Sequence, residues 1–238
     1  MRNNIFCRAF ASLVQHALHT DQRSQLVYKF LVVTVVTVSG TFSTSAIGRA
    51  ANPSATNSIG MKLVLIPAGE FVMGSPEGEG VPKFNQDEKQ VRVKLTKLFY
   101  LGKHEVTQGQ WQAVMKTRPW QGDSSVKEDR DFAATYVSWG DAMSFCRKLT
   151  LHERSSGKLD RDWEYTLPTE AQWEYACRAG STKRYSFGDD ESQLGEHAWY
   201  DNNANSIGEQ YAHKVGRKKA NAFALHDLHE NVYKWCRD

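Results

Sequence analysis

The sequence predicts a mixed fold of short strands and short, sharply capped helices, with an irregular final third. Three observations carry that expectation. KLVLIPAGEFVMGS holds two brief extended runs, 63–66 and 70–73, parted by the turn signal Pro67-Ala68-Gly69. Three later stretches begin with a capping hydroxyl followed by apolar residues at helical spacing. From Tyr185 onward, periodic patterns become scarce. A chain of 238 residues can build one sizeable core and at most two small domains.

Residues 1–50 stand apart. They carry five basic side chains (Arg2, Arg8, Arg23, Lys29 and Arg49) against Asp21 alone, which accounts for more than the whole formal charge of +3. The remainder is nearly balanced, so no basic surface argues for nucleic acid. Residues 30–42, FLVVTVVTVSGTF, form an apolar run followed by small residues at Thr44, Ser45, Ala46, Gly48 and Ala50. That is the tripartite pattern of an export signal, with a long n-region that is also compatible with an uncleaved anchor. The same run, rich in Val and Thr, also reads as a buried strand. The export reading makes 1–50 a leader, 51–60 a small polar linker and 61–238 the folded domain. It places the protein in the periplasm or outside the cell, with membrane contact only through this segment.

Within the domain, residues 75–90 are rich in Gly, Pro and charge and read as a surface loop. Val91, Val93 and Leu95 then alternate with Arg92, Lys94 and Thr96, a half-buried strand running on to Phe99 and Tyr100. Thr107 caps a helix to about Lys116, with Trp111, Val114 and Met115 as its apolar stripe. Residues 118–130 read as a disordered loop. Ser138 caps the next helix, in which Trp139, Ala142, Phe145, Cys146 and Leu149 recur at helical spacing until Ser155-Ser156-Gly157.

The best-punctuated helix lies in LPTEAQWEYACRAG, residues 167–180. Pro168 bars helix before it, Thr169 and Gln172 form a capping box, Glu170 meets the helix dipole and Gly180 supplies a left-handed exit. Four cysteines are present. If Cys7 leaves with a leader, Cys146, Cys177 and Cys236 form an odd set, which leaves a free thiol, an intermolecular bridge or a partner elsewhere. Cys146 and Cys177 sit on apolar helical faces, where cysteine is a small buried hydrophobe.

Several phrases, in order, resemble the sulfatase-modifying-factor family, whose best-known members are formylglycine-generating enzymes. They are KHEVTQGQW, VSWGDAMSFC, LPTEAQWEYACRAG, YSFGDD and HKVGRKKANAFALHDLHENVYKW, and the resemblance runs from Met61 to Asp238. It implies an irregular, loop-rich α+β domain related to the C-type lectin-like fold. It also implies oxidation of a sulfatase cysteine to formylglycine, with copper(I) held by two thiolates, a soft donor set suited to that ion. In the family that cysteine pair follows the phrase matched by ENVYKW. This sequence reaches Asp238, two residues past Cys236, so no catalytic residue and no copper are expected in it. The chain alone is expected to be inactive, its partner a sulfatase polypeptide or another peptide. The alternative is a non-catalytic module on the same scaffold that binds a peptide or a glycan.

The resemblance also implies a calcium site in the last phrase. Asp227 would supply the first ligand and the main-chain oxygens of Glu230 and Val232 the middle two. Lys234 stands where the family has glutamate. An ammonium cannot coordinate a cation, so the expectation is a weak remnant unless Glu230 or Asp238 substitutes. Ala224 and Glu230 stand where the family has glycine, at a cost of about 1–2 kcal/mol each if those positions are left-handed.

Overall fold

The computed structural model describes residues 53–76 and 89–238, together with the backbone of 30–31 and 35–38. The strands are β1 (Phe30–Leu31), β2 (Val35–Val38), β3 (Ser54–Thr56), β4 (Lys62–Ile66), β5 (Gly69–Met73), β6 (Val91–Leu95), β7 (Phe99–Gly102), β8 (Trp163–Thr166) and β9 (Tyr233–Lys234). The helices are α1 (Gln108–Met115), α2 (Trp139–Ser155), α3 (Glu170–Arg178) and the short α4 (Leu194–His197) and α5 (Asp201–Asn205).

The main sheet runs β3-β4-β7-β2-β8, antiparallel throughout. Leu63, Val64, Ile66, Phe99 and Leu101 are buried in it, as the apolar runs of β4 and β7 require. Helix α2 covers β8 with Ala142, Phe145, Cys146 and Leu149, all buried, while Trp139 at its start is 38% exposed. Trp111 of α1 stacks on Phe145 of α2 at 5.4 Å, joining the two helices in one core. The stretch that reads as the apolar part of a leader contributes β2, between β7 and β8.

The caps follow the sequence closely. Thr107 and Gln110 make a reciprocal capping box at α1, and Thr169 and Gln172 make another at α3. Helix α3 leaves through Ala179 in the left-handed region, followed by Gly180 at φ 86°. Helix α3 is also clamped to the end of β5. Glu174 accepts from the Gly74 N–H at 3.0 Å and from Arg178 Nε at 2.7 Å, and Arg178 returns a bond to the Gly74 carbonyl at 2.9 Å. That closed ring leaves a buried ion pair hydrogen-bonded on both sides.

Two expectations need correction. The segment from Val91 to Tyr100 is not one strand. It splits into β6, which pairs with β5 in a separate hairpin, and β7, which enters the main sheet. Val91 is consequently 54% exposed, because a two-stranded ribbon has no second layer over its end. Residues 118–130 form an ordered series of turns around Trp120, which is 1% exposed. One buried indole offsets the polar composition that suggests disorder.

Candidate functional site

Beneath the C-terminal turns lies a buried ion cluster. Lys234 on β9 is 3.3 Å from Glu105 Oε1, and both side chains are almost fully buried. Its ammonium donates to the Asp227 carbonyl oxygen at 2.5 Å. Asp227, held at φ 59°, accepts the Gly216 N–H on Oδ2 at 2.6 Å. Asn231 donates to Glu105 Oε2 at 3.4 Å.

Burial, and then the charge of Asp227, drive Glu105 well above the usual carboxylate range, with Lys234 opposing them. Glu105 Oε1 and Asp227 Oδ1 have no hydrogen-bond donor among the described residues. A proton kept on Glu105 gives both oxygens a partner and leaves one ammonium balanced by one carboxylate. That is a neutral arrangement, as a buried site demands.

The calcium set implied by the last phrase does not fit this geometry. Asp227 has one carboxylate oxygen engaged by Gly216, and its carbonyl by Lys234. The Glu230 carbonyl accepts from the Trp199 N–H at 3.3 Å. Val232 is buried beside them, with Lys234 supplying the positive charge. Six to eight oxygens are needed around Ca²⁺, and an ammonium within hydrogen-bond distance of the first ligand repels it. Among the described residues no group of three His, Cys, Asp or Glu is arranged to hold a metal ion.

The cysteines do not fit copper either. Cys146 and Cys177 are buried thiols on different helices, and Cys236 is disulfide-bonded. Burial pushes the Cys177 thiol up to about 12, the opposite of what a thiolate ligand needs, and its sulfur lies 3.9 Å from the Leu228 carbonyl.

Above the ion cluster is a cavity of about 360 Å³ lined by His104, Thr107, Gln110, Asp131, Lys214, Gly216 and Arg217, among others. Gly216 joins the two sites, since its N–H binds Asp227 below. Burial lowers the pKa of His104, and its Nδ1 is 2.8 Å from the Glu105 carbonyl. The wall is therefore polar, with hydroxyl, amide and charged groups of both signs, a lining suited to polar main-chain or side-chain groups.

Two features escape the sequence. Asn221 donates to the carbonyls of Ala176 and Cys177 at 2.7 and 3.1 Å and accepts from the N–H groups of Phe223 and Leu225 at 3.0 and 3.2 Å. It ties the end of α3 to the C-terminal turns. His229 is only 7% exposed, with Nε2 2.7 Å from Ser186 Oγ. Burial lowers it to about 3, so it is a neutral core group.

Residues 49–238 match the family of the sulfatase-modifying factor enzyme 1-like domain. The chain is 26% identical to the chaperone protein LppX of Paenibacillus barcinonensis over 225 residues, covering 79% of this chain and 75% of that one. It is 32% identical to the formylglycine-generating enzyme of Mycobacterium tuberculosis over 124 residues, covering 49% of this chain but 37% of that enzyme. Among solved structures, PvdO from Pseudomonas aeruginosa superposes with a TM-score of 0.64 at 27% identity, covering 79% of this chain and 75% of that one.

Proposed function

Because this chain belongs to the sulfatase-modifying-factor family, and because its thiols are not set to hold copper, we propose that it is a polypeptide-binding domain on that scaffold, inactive by itself as an oxidase. The observation that carries this reading is the Cys177 thiol, sealed in the core with its pKa raised to about 12. Copper(I) chemistry of the family type needs two exposed thiolates facing one substrate thiol. Here Cys146 and Cys177 belong to separate helices, and Cys236 is already oxidised.

A polypeptide ligand is favoured by the cavity beside the ion cluster, whose lining pairs Lys214 and Arg217 with Asp131 and adds the amide of Gln110. Such a mixed donor and acceptor set suits a peptide better than an apolar small molecule. Two relatives point the same way by name, one a chaperone and one an enzyme that generates formylglycine. A sulfatase polypeptide is the proposed partner.

The test uses the full chain and a fluorescent, cysteine-containing sulfatase-motif peptide. Saturable binding by anisotropy, with no oxygen consumption above a copper blank, is expected. Turnover above that blank overturns the assignment, and so does a flat binding curve.

A further inference from the structure

The two strands that flank β2 are not paired with each other, and each has its other edge closed. Along β8, the Tyr165 N–H donates to Thr150 Oγ1 at 2.9 Å and the Trp163 carbonyl accepts from Arg154 at 2.9 Å. Both partners lie on α2, so helix side chains seal the outer edge of β8. Backbone groups alternate along a strand, and those of Glu164 and Thr166 therefore face the opposite way, toward β2. Along β7, the far edge is taken by β4, in register from Leu63 with Gly102 to Ile66 with Phe99. The inner edges of β7 and β8 thus confront one another across the width of one strand, and β8 has no other strand partner among the described residues.

We propose that β7 and β8 frame a strand-acceptor slot, filled from within by Val35–Val38, and that an extended, β-branched apolar peptide takes the slot when that segment is displaced. The inference rests on the polypeptide-binding reading for the class of ligand, and it names a different place from the polar cavity. The slot is built by the rest of the domain, and the filler is four residues long, VVTV, pairing Val35–Val38 with Thr166–Trp163 and Val35–Thr37 with Leu101–Phe99. Backbone bonds on two edges would give affinity to any strand that fits, and the apolar, β-branched filler shows which composition does. The slot also gives the apolar run two exclusive fates. As part of a leader spanning residues 1–50 it departs and opens the slot, while retained it closes the sheet.

Thr37→Pro in the full chain tests this, because proline in a central strand removes a ladder donor. Thr37 pairs with Glu164, so the Glu164 and Thr166 amides should exchange about a hundredfold faster in the variant, whereas the Tyr165 amide, held by Thr150, stays protected. A synthetic peptide of residues 30–42 with a lysine tail should bind the variant, restore that protection and ignore the wild type. Equal exchange in both proteins overturns the occupancy. Faster exchange without peptide rescue shows a fixed strand and overturns the acceptor role, even if the sulfatase-motif peptide still binds the wild type.

Should Tyr165 lose protection too, the variant has unfolded and a cross-link decides. Val38 and Trp163 oppose each other at a pair without mutual hydrogen bonds, where Cα atoms approach to about 4.5 Å, within disulfide reach. The double variant Val38→Cys with Trp163→Cys should then form that bridge and, after reduction in the presence of excess peptide, fail to re-form it. No bridge overturns the occupancy, and unhindered re-formation overturns the acceptor role.

Discussion

The ammonium of Lys234 lies 3.3 Å from Glu105 Oε1 and donates to the Asp227 carbonyl at 2.5 Å, so one buried cation pins β9 to the turn that enters α1. Lys234→Met keeps the bulk, removes the charge and strands the two carboxyl groups. It should cost about 3 kcal/mol in urea unfolding at pH 7. Glu105→Gln, which replaces the retained proton by an amide donor, should cost only about 1 kcal/mol. A large loss in Glu105→Gln with none in Lys234→Met would reverse the assignment of the proton.

Calcium should leave the wild type unchanged. The Lys234 ammonium sits on the Asp227 carbonyl and beside Glu105, where its charge repels a divalent ion. Isothermal titration of the folded protein should give no binding heat, and the melting temperature should not move with added CaCl2. A saturable heat would mean that Glu230 or Asp238 completes a site after all.

Cys177 should resist alkylation. With its thiol pushed up to about 12 by burial, native labelling by iodoacetamide should stay slow and nearly flat from about pH 7 to 9, then become fast on unfolding. The folded pKa is raised, so the thiol's contribution to stability is present below about pH 9 and is lost as pH rises toward 12. Rapid native labelling at neutral pH would show that the sulfur is accessible.

Ala224→Gly should stabilise. Ala224 adopts φ 61°, a left-handed conformation that costs an L-residue about 1–2 kcal/mol. Glycine gives back part of that through its freer unfolded chain, so a net gain of about 0.5–1 kcal/mol is expected by thermal melting. A loss would mean that the methyl group packs more favourably than its backbone is strained.

Asn221→Ala should destabilise by about 2–3 kcal/mol, since two bonds to α3 and two within the last turns go at once. Asn221→Asp keeps the two acceptor bonds and loses the two donor bonds, so it should fall between wild type and alanine in denaturant midpoint. Equal midpoints for all three would remove Asn221 from the account.

The helices were legible because their signals are local. Thr107 with Gln110 and Thr169 with Gln172 declare their caps within three residues, and the caps formed as written. The loop-rich α+β architecture was legible through the family resemblance, and it is what the domain adopts. What stayed hidden depends on distant partners. Nothing near Val91 says that its strand would pair in a ribbon apart from Phe99, and nothing near Glu105 announces Lys234 as its counter-ion. Asn221 gives no signal in its own neighbourhood, because the carbonyls it binds belong to a helix more than forty residues earlier. Lys234 was recognised as incompatible with calcium from its chemistry alone, but its bonds to Glu105 and Asp227 required coordinates.

The strand order also sets a timetable for synthesis. Residues 35–38 leave the ribosome early, yet their partners in β8 follow only at 163–166. At roughly 5–20 residues per second, that apolar stretch waits on the order of ten seconds for its second neighbour. During that interval the edge of this strand that β8 will cover stays unpaired, so the central ladder of the sheet closes late in synthesis.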